Sequence, residues 1–137
     1  MLKLTTKQLQ QSLPAFMQMA NMPLAPGNQR LAYNLGKTLS ALKKEGEALS
    51  KQELEIFKMF GATEENGQWK VDFAHDTGEL KEHFNEEIEA LNAIEIEVWG
   101  HHITLSELEK ANLNLSPAQF ELLDWLIVED APLDAAE

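Results

Sequence analysis

Residues 31–60 read LAYNLGKTLSALKKEGEALSKQELEIFKMF, and this stretch decides the architecture. Ala32, Leu35, Leu39, Leu42, Gly46, Leu49, Glu53, Ile56 and Phe60 follow one another at three- and four-residue steps, which puts them in a single seam along a helix. All but Gly46 and Glu53 are apolar. Gly61 offers a natural C-terminal stop. Two features argue for a break. Gly46 costs about 1 kcal/mol relative to alanine in a helix interior. Ser50 and Glu53 have capping-box spacing, so a second helix could begin there. The seam keeps its phase across both, which favours one helix from Leu31 to Phe60.

A helix over residues 31–60 would extend about 45 Å. A compact chain of 137 residues has a diameter of roughly 37 Å. The expectation is therefore a helix that overhangs its own domain with an apolar seam in need of cover. Leu35, Leu39, Leu42, Leu49, Ile56 and Phe60 are the candidate interface, against a second copy of the chain or another protein.

Towards the N-terminus, Thr5 and Gln8 have capping-box spacing, and Leu9, Leu13, Phe16 and Met17 share a helical face. Pro14 inside that face predicts two short helical pieces ending near Ala20. Met17, Met19 and Met22 cluster with Phe16 as core or as an adaptable binding surface. Asn21 to Gly27, with Pro23 and Pro26, reads as a connector.

Beyond the long helix, Glu65-Asn66-Gly67 marks a turn and Gln68 to Phe73 a short strand. Asp76 and Glu79 have capping spacing ahead of a stripe at Leu80, Phe84, Ile88 and Leu91, with Glu82, Glu86 and Glu89 on a solvated face. Ile94, Ile96 and Val98 alternate with Glu95 and Glu97 as a strand. Gly100 ends it, and Ile103 to Leu105 is the expected hairpin partner, followed by a helical turn over Ser106 to Lys110. Ser116, Pro117 and Gln119 open a last helix carrying Phe120, Leu123, Trp125, Leu126 and Ile127.

The fold class is α+β, mainly helical: one long helix in the N-terminal half, a small antiparallel sheet and two shorter packing helices. The sheet is expected from Gln68–Phe73, Ile94–Trp99 and Ile103–Leu105. The organisation is residues 1–26 as short helices and connector, 27–128 as one α+β domain, and 129–137 as an acidic flexible tail.

Charge is segregated. The chain holds 11 lysines and arginines against 23 acids, a net charge of -12. Lys3, Lys7, Arg30, Lys37, Lys43 and Lys44 lie in the first 44 residues, which contain no acid. Such asymmetry points to a nucleic-acid partner or to compensation within the fold. A nucleic-acid reading rests on Arg30, Lys37, Lys43 and Lys44 meeting phosphates along the first half of the helix. Its weakness is the shortage of stacking aromatics, Tyr33 alone lying nearby.

Catalytic signals are scarce. The chain has no cysteine, which removes disulfides, thiolate ligands and thiol nucleophiles. No serine sits in a GxSxG context, and no phosphate-binding glycine loop is present. His101 and His102 are adjacent and would point to opposite faces of a strand, while His75 and His83 are eight apart. A metal-assisted hydrolase would have to assemble its ligands from His83, Glu86 and a distant histidine. The carboxylate pairs fall where the pattern predicts exposure, so no catalytic residue, metal or cofactor is assigned. No apolar run is long enough to cross a bilayer, and Met1 to Lys7 lacks a secretory pattern, so a cytoplasmic address is expected.

The order of features resembles small uncharacterised proteins of tailed bacteriophages and prophages. The resemblance rests on Tyr33-Asn34-Leu35 opening the long helix and on Glu65-Asn66-Gly67 after it. It continues through Phe84-Asn85-Glu86-Glu87 before Leu91, Glu95-Ile96-Glu97-Val98, and Leu115-Ser116 ahead of the last helix. It covers residues 30–128 and not the first 25. It implies expression in an infected or lysogenic bacterial cell and brings no catalytic residues. The leading expectation is a non-enzymatic phage protein acting through protein–protein contacts, as a homo-oligomer, with nucleic-acid binding and metal-assisted hydrolysis as alternatives.

Overall fold

A computed structural model of the chain describes residues 1–71 and 78–130. The element order is β1 (Leu2–Thr5), α1 (Thr6–Ala20), α2 (Gln29–Met59), β2 (Thr63–Glu65), β3 (Gln68–Lys70), α3 (Glu79–Asn92), β4 (Glu95–Val98), β5 (Ile103–Thr104), α4 (Leu105–Lys110), α5 (Pro117–Leu122) and β6 (Ile127–Val128). The class is α+β and mainly helical, with a long helix in the N-terminal half, as the patterning predicts.

α2 runs 31 residues without a break at Gly46 or Ser50, a length of about 46 Å. Leu35, Leu42, Leu49 and Ile56 form a column at seven-residue spacing, and all four are buried. Leu31 and Thr38 make a second buried column beside it. That column would continue at Glu45, which is half-buried, and Gln52, which is exposed. The first half of α2 is thus buried two columns deep and the second half only one. Burial of the continuous column, at roughly 1.5–3 kcal/mol per large apolar side chain, exceeds the propensity cost of a single glycine. At the C-terminus Gly61 adopts φ +76, and the amides of Gly61 and Ala62 donate to the carbonyls of Lys58 and Phe57 at 3.1 and 3.0 Å. These bonds satisfy carbonyls that the helix itself leaves open.

α1 is capped as expected: Thr5 accepts from the Gln8 amide and the Gln8 side chain accepts from the Thr5 amide. It is one helix, not two pieces. Pro14 lies inside it and faces outward, as does Gln10, whose carbonyl loses its helical donor where solvent can replace it. Leu9, Ser12, Ala15, Phe16 and Met19 are buried on the opposite side and hold both halves in line. The first 26 residues are accordingly built into the same core as the rest. Ser12 accepts a hydrogen bond from Trp125 Nε1 at 3.0 Å and donates to the Gln8 carbonyl, while the Phe16 and Trp125 rings stack 6.5 Å apart.

The sheet differs from the expected one. Among the described residues, three separate two-stranded pairs form in its place. β4 pairs antiparallel with β1, Leu2 opposite Val98 and Thr5 opposite Glu95. β2 and β3 form a hairpin across Asn66 and Gly67, both at positive φ, as such tight turns require. β5 is not the hairpin partner of β4 but pairs in parallel with β6, Ile103 opposite Ile127. Gly100 is the reason the chain leaves β4 as it does. A Cβ there would fall 2.6 Å from Leu2 Cδ1 and 2.8 Å from Thr38 Oγ1. Only a bare backbone can pass so close to β1 and α2.

α3 presents Leu91 buried and Phe84 and Ile88 half-buried, with Leu80 exposed. The expected Asp76 cap, His75 and the end of the Gln68–Phe73 strand lie outside the described residues. Thr6 ties α1 to this region, its amide donating to the Ile94 carbonyl at 2.9 Å and its hydroxyl to the Leu91 carbonyl. The capping box at Ser116 is present, but α5 stops at Leu122, and Leu123, Trp125 and Leu126 enter the core from the turns that follow. Asp130 accepts from the Ser106 amide at 2.9 Å and from its hydroxyl, and the rest of the expected tail, residues 131–137, lies outside the described residues. The Ser106 hydroxyl, then its amide, hold the Asp130 carboxyl below its ordinary value. That clasp contributes at pH above the unstructured-chain value and is lost as pH falls through the folded one.

Replacing Gly100 with alanine should lower stability by about 1–3 kcal/mol in denaturant titrations. An unchanged midpoint would contradict the close packing of β4 on Leu2 and Thr38.

Candidate functional site

α2 presents three faces, and they serve differently. The sealed face carries the six residues expected as an interface. Leu35, Leu42, Leu49 and Ile56 are buried within the chain, and Leu39 and Phe60 pack half-buried against the same core. Phe60 lies edge-on to Phe84 of α3 at 5.4 Å, and Phe57 is 5.3 Å from the same ring. The seam is therefore not left bare: α1, α3 and β4 cover it. Length alone suggested an overhang. The N-terminal helix α1 supplies the cover that length alone does not reveal.

The second face is open. Leu13, Pro14 and Met17 of α1 and Gly46, Leu49 and Ser50 of α2 line a groove of about 910 Å³. Lys43, Glu47, Lys51 and Glu53 also line it. A shallower depression of about 420 Å³ shares Ser50 and Glu53 and extends the surface over Leu54, Phe57 and Trp69 of β3. Lys58 lies 5.4 Å from the Trp69 ring centre. This apolar strip is rotated from the predicted seam, on the flank of the Leu42–Leu49–Ile56 column opposite to Glu45 and Gln52. The seam residues Gly46 and Glu53 touch it, and Leu54 and Phe57 were not foreseen.

The third face is basic and aromatic. Arg30, Tyr33, Lys37 and Lys44 are spaced by three, four and seven residues and share one side of α2. Lys43 falls on the groove instead, so the four predicted cations do not act together. Lys37 Nζ lies 4.2 Å over the Trp99 ring, and His101 meets that ring edge-on at 5.6 Å. Trp99 and His101 were not associated with the basic residues in the sequence, because only the pairing of β1 with β4 brings the end of β4 beside α2.

Among the described residues, the other histidines do not converge. His83 Nδ1 is 3.7 Å from Glu86 Oε2, both exposed and one helical turn apart. Among the described residues, no three histidine, aspartate or glutamate side chains are grouped to hold a metal ion. No helix among them is long and apolar enough to cross a membrane. No protein-family model matches the chain, and no curated protein or solved structure matches it either.

Gly46 forms the groove floor beside Leu13. A Cβ added there would sit 3.4 Å from Leu13 Cδ2, an ordinary contact. Gly46→Ala should therefore raise thermal stability, by about 1 kcal/mol, while partly filling the groove. A loss of stability would show that α1 and α2 meet more tightly at this point.

Proposed function

We propose that this is a non-enzymatic phage or prophage protein that acts in the bacterial cytoplasm through protein–protein contacts. Its docking surface is the groove between α1 and α2, and a second copy of the chain is the occupant. The phage assignment rests on the resemblance of residues 30–128. The docking assignment rests on the groove, which exposes apolar side chains of α1 beside an α2 that is sealed by only one column at this level.

Charge supports a self-pairing. Lys43, Glu47, Lys51 and Glu55 alternate in sign every four residues along α2. None of them is in an ion pair among the described residues. A second α2 lying antiparallel, with the two-fold axis on the solvent side of α2 at the level of Leu49, sets Glu47 opposite Lys51 and Lys43 opposite Glu55, each pair occurring twice. Isologous interfaces have this reciprocity. Exposed ion pairs contribute only about 0.2–1 kcal/mol each, so they fix register, and burial of Leu13, Met17, Leu54 and Phe57 supplies the affinity. This seam differs from the predicted one, yet it keeps the predicted kind of partner. The metal-assisted alternative gains no converging ligand set among the described residues.

In light scattering across a concentration series, the wild type should reach twice its 15.4 kDa mass. Glu47→Lys and Lys51→Glu should each shift the equilibrium towards monomer, and the double swap should restore the dimer. A wild type that stays monomeric throughout, or a double swap no better than either single one, would refute the pairing.

A further inference from the structure

We infer that the third face of α2, completed by Trp99 and His101, is a binding site for single-stranded nucleic acid. This goes beyond the self-pairing and does not depend on it: its residues run from Arg30 to Lys44 in the first half of α2, whereas the pairing is centred at the level of Leu49 in the second half.

Arg30, Lys37 and Lys44 lie at seven-residue intervals on one line, spanning about 21 Å. No acid occurs in the first 44 residues to neutralise them. The acids that approach from other elements are few. Glu97, on the exposed side of β4 with Trp99, is paired with Lys3 at 3.7 Å. Glu107 lines a small crevice with His101, His102 and Asn34. Elsewhere the chain is strongly acidic and repels a polyanion, which confines any contact to this face.

Aromatic placement separates a single strand from a duplex. Tyr33 is 67% exposed and sits one helical turn before Lys37, with an open ring and no core to join. Trp99 steadies the Lys37 ammonium at 4.2 Å, and His101 abuts the same ring. Lysine is thereby held as a positioned phosphate contact rather than a freely swinging one. Rings interleaved with cations suit unpaired bases, whose faces are free to stack, whereas duplex bases are already stacked. Three aligned cations are also few for a duplex, which usually meets six or more.

The test is fluorescence anisotropy with a dye-labelled oligothymidylate of about 20 nucleotides, read at roughly 50 and 200 mM salt. Micromolar binding at the lower salt, weakening about twentyfold at the higher, is the result expected for three phosphate contacts to a single strand. Tyr33→Ala, at an exposed position, and Lys37→Gln should each weaken binding by about tenfold with unchanged circular dichroism. Lys70→Gln, on the distant hairpin, should leave it unaltered. No binding at low salt, wild-type affinity in Tyr33→Ala, or equal affinity for a duplex of the same length would overturn the inference.

Discussion

Leu35, Leu42, Leu49 and Ile56 recur every seven residues, and their burial in one line is the interaction on which the molecule rests. A helix of about 46 Å has no stability of its own beyond marginal propensity. It persists because α1, α3 and β4 close over this column along most of its length. The neighbouring column ends at Thr38, and Glu45 and Gln52 stand where further apolar residues would have continued it. The first half of α2 is thereby packed two columns deep, whereas the groove opens on the other flank of the surviving column, where Gly46 and Ser50 face α1.

The ends of the chain complete the cover. β1 pairs with β4 across some ninety residues of sequence, and Ser12 and Trp125 satisfy each other inside the core. No buried side-chain nitrogen or oxygen among the described residues is left without a partner. The polar groups drawn inside among the described residues are the hydroxyls of Thr6, Ser12 and Thr38, the Asn28 amide, which donates to the Ala25 and Lys110 carbonyls, and the Trp125 indole. Among the described residues no lysine, arginine, aspartate or glutamate is fully buried, so salt screens their charges. Their segregation is then free to define surfaces rather than to hold the fold.

Local signals in the sequence were legible. The capping boxes at Thr5 and Ser116, the glycine stop at Gly61 and the turn at Asn66-Gly67 each depend on a few adjacent residues, and each is found where the pattern places it. The length of α2 was legible too, because a phase preserved over thirty residues outweighs one glycine. What depended on distant partners was not. Leu2-Lys3-Leu4-Thr5 alternates like a strand, but four residues carry little weight until β4 lies beside them. Pro14 signals a break in isolation, and only the buried side of α1 keeps the helix whole. Of the candidate site, the cations on α2 could be named from spacing, whereas Trp99 and His101 could not, since no periodicity links them to Lys37. The apolar strip at Leu54 and Phe57 has no sustained period of its own, whereas the seam with the strongest period is the one the chain seals for itself.

Both proposed surfaces require α2 to be a single straight spine, since a break would change which residues share a face. Native-state hydrogen exchange, resolved by residue across 42–52, measures this directly. Slow exchange at the amides of Gly46 through Ser50, continuous with that of Leu42 and Gln52, is the outcome the structure requires. A window of fast exchange centred on Gly46, flanked by two separately protected segments, would contradict it.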